Sequence, residues 1–506
     1  MESFGFKKLF PIFVGPAKQI FTKFQRYVMK HFFTYFLLFI SCALPIFSKA
    51  RGQSSYTPEM LDYIKSNMTS RLDSLGYHVV GGNLIYITPE QSQILCALYG
   101  WNCQANNPTT PYGVFMFPKN GDNSIMSMDW KLAENEAIVF VGVTPPKSRY
   151  FGIVPYIWSR YESGNEINLY ASLGDTLNNA AIKTSGPNQD SFNRNSVIIM
   201  TRDWQTDAAI RKALTHPTIG LSPNIFNTYA FPKDPPLRMG YVQGVSDSFT
   251  VLTRIALLED QAKGEAYMEN PPAFIMKVRP KNRIRATVPL GQPKLRTVGS
   301  GVREQDIIID GHSLQGALDS LEQGIKDYYS SQTPTSIPVA MHGPYGFDCI
   351  YGNPPDFLPY RCIFENRDAG YNHHMDSPVL LPDDPSNFFI VYGVNHRKTG
   401  KVAYHNVAVS EGGTDRGIIS IDDRAFAGTA DRFTNHPLKD YLYAIRISRN
   451  CADEGAPSCY EVPSDPANGI ELDQPLYIMF RYYLEYVTGT RPSGDEMVLD
   501  RVLLFK

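Results

Sequence analysis

Two stretches of this 506-residue chain set reactive side chains at spacings that could do chemistry. One is Gly311-His312-Ser313-Leu314-Gln315-Gly316-Ala317, between a strand-like run at 306–310 and a helical pattern reaching Tyr329. A serine on a strand-to-helix turn is exposed for nucleophilic attack, and neighbouring glycines let helix and strand approach closely. His436 lies downstream, where a histidine and an acid would complete a proton relay. The other stretch is His374-Met375-Asp376, followed by His436 and then Arg446-Ile447-Ser448. Two imidazoles and a carboxylate can fill one octahedral face of an iron ion and leave three positions open. A looser cluster is Asn395-His396 and His405-Asn406, at opposite ends of an expected hairpin. With a two-residue Thr399-Gly400 turn the two histidines share a face; with a three-residue loop they do not. That pair reads as a hydrogen-bonded structural pair or, in the favourable register, as metal ligands.

The Ser313 string resembles the nucleophile elbow of lipase-type α/β-hydrolases, which implies Ser313 as nucleophile and His436 as its base. It departs from that pattern at Gln315, where the elbow carries a small residue, and a helix-capping Ser313 accounts for the same residues. The chain beyond also reads as hairpins rather than alternating strands and helices. The second string resembles the iron and 2-oxoglutarate dioxygenases. That resemblance implies His374, Asp376 and His436 as iron ligands, Arg446 and Ser448 holding the co-substrate carboxylate, and Fe and 2-oxoglutarate as cofactors. Its departures are the polar surroundings of His373-His374 and the run Pro382-Asp383-Asp384-Pro385 before the next apolar strand.

The cysteines speak for the compartment. Cys42 lies near the N-terminus, leaving Cys96, Cys103, Cys349, Cys362, Cys451 and Cys459 as three close pairs. An even number so arranged reads as disulfides in an oxidising compartment; zinc is the counter-reading, without CxxC spacing to support it. Asn67-Met68-Thr69 is an N-glycosylation acceptor. Ahead of these, Lys7, Lys8, Lys18, Lys23, Arg26 and Lys30 precede an apolar run from Phe32 to Phe47. At about 16 residues the run is short for a span, which needs about 20, and suits a signal peptide cut after Ala50 or an uncleaved signal anchor. Either way the body is expected in the endoplasmic reticulum and secretory pathway, secreted or membrane-anchored.

Forty-eight basic against 50 acidic residues leave a net charge of −2, which argues against nucleic acid as a partner. A membrane, should the segment stay uncleaved, and a small-molecule ligand are the expected partners. Thirty tyrosines, 29 phenylalanines, 38 glycines and 37 prolines favour strands and turns. The expected class is strand-rich α+β, with mixed helix and mostly antiparallel sheet. The expected layout is a leader at 1–50, a domain at 55–278, a basic Pro/Gly linker at 279–305 and a strand-rich domain at 306–506. Helices are expected at 57–76, 207–214, 257–267 and 313–329. Strands are expected at 114–117, 137–143, 153–158, 167–173, 197–200, 273–278, 388–394, 401–409, 442–447, 476–483 and 497–505.

Three strings, Ala171-Ser172-Leu173-Gly174-Asp175, Phe389–His396 and Arg481–Glu496, resemble uncharacterised exported proteins of algae and bacteria. The chain is also similar to the unassigned B component of diatom domoic-acid gene clusters, and that resemblance implies an accessory place in algal secondary metabolism. It assigns no residue a role.

Overall fold

Thr57, Pro58 and Gly76 bracket the first helix as its sequence demands. In the computed structural model α1 spans Pro58–Ser74; Thr57 accepts the Met60 N–H, and Gly76 leaves it at φ +87°. The structure describes residues 55–92, 94, 103, 106–119, 122–187, 190–234, 236–341, 349–351, 362, 364–374, 377–452 and 458–506. The basic leader, the Phe32–Phe47 segment, Cys96 and Asp376 lie outside them. No helix among the described residues is long and apolar enough to cross a membrane.

Residues 52–506 form one compact unit. Its class is strand-rich α+β. The first strand set comprises β1 (Tyr77–Ile87), β2 (Tyr112–Lys119), β3 (Asp122–Ser127), β4 (Ala137–Val143), β5 (Ser148–Glu162), β6 (Asn165–Ser172), β7 (Leu177–Asn178), β8 (Asn195–Thr201), β9 (Phe226–Ala230), β10 (Ser248–Leu258) and β11 (Ala273–Pro280). They make one sheet in the order β6-β5-β10-β2-β1-β11-β4-β8-β9, with β3 on β2 and β7 on β5. All pairs are antiparallel except β8–β9. The sheet turns at β1, whose first half pairs with β11 and whose second half, after Gly81-Gly82, pairs with β2. A Cβ at Gly82 would strike the Phe117 ring, so glycine there permits the handover. The curl encloses Phe115, Phe117, Phe140, Phe151, Trp130 and Phe249, while α1 and α2 (Trp204–Leu214) cover the other face over Val139, Val141 and Ile199. A third helix, α3 (Gln261–Glu269), leads into β11.

The run 281–305 then lies along the body as a strap. Lys281 pairs with Asp73 at 2.7 Å, Arg285 with Asp203 at 2.5 Å and Arg296 with Asp175 at 3.3 Å. Its end is held by the second strand set: Ser300 Oγ donates to Glu485, and the Gly301 N–H donates to Glu496.

That set comprises β12 (Ile308–Ile309), β13 (His312–Ser313), β14 (Thr335–Ile337), β15 (Ala340–Met341), β16 (Ala369–His373), β17 (Phe388–Val394), β18 (Tyr404–Glu411), β19 (Gly417–Asp422), β20 (Leu442–Ser448), β21 (Cys459–Glu461), β22 (Leu476–Tyr483) and β23 (Arg501–Phe505). Two five-stranded sheets, β14-β23-β17-β20-β21 and β15-β16-β22-β18-β19, face each other as a sandwich. Period-2 alternation sorts their side chains. Phe389, Val391, Ile445, Ile447, Val502 and Leu504 meet Val407, Val409, Ile478 and Phe480 between the sheets. Phe388, Ile390, Ala444 and Leu503 point the other way, under α4 (Leu314–Tyr328). The outer face of the β22 sheet packs on the first strand set, where the Tyr150 ring lies tilted against that of Tyr483, centroids 4.8 Å apart, and its hydroxyl donates to Asp368 at 3.1 Å.

The expected 388–409 hairpin is corrected. β17 pairs with β20 and β23, whereas β18 pairs with β19 and β22, so the Lys398-Thr399-Gly400 turn is an arch between the two sheets. Both strands are buried along their whole length, so neither carried the one-sided alternation that distinguishes hairpin partners from strands of facing sheets.

Candidate functional site

The arch decides the geometry of its two histidines. His405 lies on β18 with the inward parity of Val407 and Val409, and His396 leaves β17 just before the crossing. Their rings face across the gap between the sheets, with centroids 4.8 Å apart. Asp500, two residues before Val502, takes the same inward parity at the head of β23. All three side chains are fully enclosed. Asp500 Oδ2 lies 3.5 Å from His396 Nε2 and 3.3 Å from His405 Nε2. The Tyr443 hydroxyl donates to Asp500 Oδ1 at 2.9 Å and the Tyr482 hydroxyl to Oδ2 at 2.7 Å. Gly393 makes the room, since a Cβ there would overlap Asp500 Oδ1. The strap adds a second carboxylate. Glu304 accepts from His396 Nδ1 at 2.8 Å, from Thr399 Oγ1 at 2.6 Å and from the Val498 N–H at 3.1 Å.

Electrostatics divide the two imidazoles. Burial alone would discharge His396, but the Glu304 and Asp500 carboxylates outweigh it and hold its pKa up to about 10. Burial wins at His405, whose pKa falls despite Asp500 beside it. Burial would also raise the Asp500 carboxyl, yet His405 and His396 keep it well below the usual carboxylate range. Such a nest can store a proton between carboxylates or hold a cation with two nitrogens and one oxygen.

The residues singled out for catalysis lie elsewhere. Ser313 has an ordinary extended backbone, φ −90° and ψ 148°, and its Oγ accepts the Gly316 N–H as the cap of α4. The preceding turn, Asp310-Gly311, has positive φ at both residues and closes the small β12–β13 hairpin rather than a nucleophile elbow. His374 spends both ring nitrogens: Nε2 accepts the Ile478 N–H at 2.9 Å, and Nδ1 lies 3.3 Å from the Ser377 carbonyl. Its ring packs near Phe389, inside the sandwich. His436 sits on the α4 side of the β17 sheet, its ring 5.0 Å from that of His312 and its Nδ1 accepting the Leu438 N–H. The sheet therefore stands between the two imidazoles that were expected to share an iron. Arg446 lies over the Phe388 ring at 4.0 Å and donates to the Pro385 carbonyl, and Ser448 Oγ accepts from Asn450 N–H at 3.3 Å.

Disulfides join Cys349 to Cys362 and Cys451 to Cys459, with Cα–Cα distances of 5.9 and 5.8 Å. Cys103 is also disulfide-bonded. Asn67 is half-buried in α1, and its amide donates to the Tyr63 carbonyl.

Sequence reading named His396 and His405 but missed Asp500 and Glu304. The available signal was Asp500 at a position whose parity with Val502 and Leu504 calls for an apolar side chain.

No family model matches the chain, and no curated protein matches it. Among solved structures, the partial N-terminal region of an enterococcal surface protein aligns over 82% of this chain and 84% of that one. The identity is 9% and the TM-score 0.14, a superposition that carries no argument about fold or function.

Proposed function

We propose that the chain is an exported protein of binding or accessory role, working in the secretory lumen or outside the cell. The observation that carries this reading is the pair of local disulfides, Cys349–Cys362 and Cys451–Cys459. Disulfides persist where the surroundings are oxidising and are rare where glutathione keeps thiols reduced. The basic stretch ahead of Phe32–Phe47 supports delivery to such a compartment, by a cleaved signal or by an anchor. The accessory place in algal secondary metabolism belongs to the same proposal and rests on the string resemblance alone.

The experiment is expression of the tagged full chain in a eukaryotic cell, followed by fractionation, thiol blocking and peptide mapping. The expected result is a membrane or secreted fraction, both disulfides mapped, and a glycosidase-sensitive band lost in Asn67→Gln. A cytosolic protein with Cys96, Cys103, Cys349, Cys362, Cys451 and Cys459 all reactive and no glycan overturns the reading. Metabolite profiling after gene disruption tests the pathway; an unchanged profile removes that part.

A further inference from the structure

We propose that His396 Nε2, His405 Nε2 and Asp500 Oδ2 are the ligands of a divalent first-row transition ion, zinc in the first instance, held inside the sandwich. Three observations converge on it.

The ligand atoms have the spacing an ion would impose. The three groups approach one another within 4.8 Å, and the two histidine–aspartate separations are 3.3 and 3.5 Å. Zinc bonds of about 2.0–2.2 Å put neighbouring ligands about 3.4 Å apart on a tetrahedral edge, so two of the three edges already fit. A hydrogen-bonded trio would be shorter and better aligned.

Hydrogen bonding leaves these nitrogens unsatisfied. His396 Nε2 and both ring nitrogens of His405 are buried and make no hydrogen bond of normal geometry among the described residues. Buried polar groups rarely go without a partner, and an ion is one of the few things that can supply it.

The surrounding shell is that of a metal site. A metal-bound imidazole ordinarily donates its other N–H to a carboxylate, as His396 Nδ1 does to Glu304. A ligating carboxylate is itself hydrogen-bonded, as Asp500 is by Tyr443 and Tyr482. Two carboxylates with two neutral imidazoles balance a divalent charge in an otherwise apolar gap. Nitrogen and oxygen donors suit zinc, iron and nickel more than calcium or magnesium. Because the site is sealed, the ion belongs to the folded framework and must be taken up as the chain folds.

The test uses the full chain purified from eukaryotic cells grown with zinc or with cobalt(II). After exhaustive dialysis, elemental analysis should find about one equivalent of metal per chain. The cobalt-grown protein should show visible d–d absorption of a four- or five-coordinate ion. His405→Gln and Asp500→Asn should lose the metal, His374→Gln should keep it, and Glu304→Gln should weaken retention about 10- to 100-fold against a competing chelator. Well-folded native protein below one tenth of an equivalent in both media, without cobalt absorption, overturns the assignment whether or not the variants fold. So does metal that survives both His405→Gln and Asp500→Asn.

Discussion

Lys277 shows what a single residue costs when the fold buries it. It sits on β11 inside the curl, its Nζ 5.3 Å from the Phe117 ring centre and 5.2 Å from that of Trp130, donating to the Lys131 carbonyl. Burial, with Arg279 adding to it and Glu136 opposing, pushes its pKa from 10.5 down to about 7. Between those values the unfolded chain holds a proton the folded chain lacks, so stability rises with pH across that window, by up to about 1.4 kcal/mol per unit. Lys277→Met should flatten that rise, read as urea midpoints at pH 7, 8 and 9; an unaltered slope would mean that the ammonium keeps its ordinary pKa. Glycine makes a second residue-scale case. Gly393→Ala drives a methyl into Asp500 between two sheets and should cost about 2–4 kcal/mol, whereas Gly400→Ala meets no atom within 4 Å and carries only the φ +83° penalty of about 1 kcal/mol. Denaturation midpoints that ranked the two equally would contradict the packing at Asp500. At this scale the sequence was partly legible. Thr57, Ser313 and the cysteine pairs show themselves through local neighbours, while Glu304 and Asp500 reach His396 across 92 and 104 positions, a distance no local pattern records.

Elements were legible where their own pattern sufficed. The sequence places β4, β17 and β22 at their observed bounds and α1 and α4 within a residue or two, because long apolar runs and caps need no partner to be recognised. β1 and β10 escaped it. β1 carries Gly81-Gly82 at its centre, which reads as a break but serves the handover between β11 and β2. β10 is buried on both faces and ends at Leu258, so its tail merged with the following helix. The strap reads as a basic linker, and among its links to the sandwich is one buried cation. Lys401 Nζ reaches the buried Glu485 at 2.7 Å and Glu496 at 2.6 Å, and donates to the Val302 carbonyl at 2.7 Å. Replacing it strands two enclosed carboxylates, and Lys401→Met should cost about 3–5 kcal/mol. It should also open 281–305 to trypsin, whereas removing the exposed Arg303–Asp306 pair, 3.8 Å apart, should leave the midpoint unchanged. Lys401→Met protein with native stability and an intact strap would show that the charges are solvated.

Across the whole molecule, the two strand sets share core and a set of buried polar contacts, among them Ser172 to Glu365, Asn178 to Asp368 and Arg367 to Asp175. Cys349, Ile350 and Cys362 from the second half pack in the cluster of Phe151, Ile153 and Leu173, and Tyr150 and Ala256 from the first pack with Ala369, Tyr404 and Tyr483. Buried aromatic and hydrogen-bonded contacts of this kind remove the independence that a solvated interface would leave. The two sets are therefore expected to unfold together. Tryptophan reports the question cleanly, because Trp101, Trp130, Trp158 and Trp204 all lie in the first half, whereas far-ultraviolet ellipticity senses both. Thermal midpoints from the two probes should coincide. The Cys349–Cys362 link, closing 13 residues of chain, should contribute on the order of 3 kcal/mol by restricting the unfolded state. In Cys349→Ser/Cys362→Ser both midpoints should fall by the same several degrees, since the link sits inside a core that the first half builds. Midpoints that separate in the native chain, or a fall confined to ellipticity in the variant, would mean that the shared clusters do not couple the halves, and the molecule would then behave as two domains joined at residues 281–305.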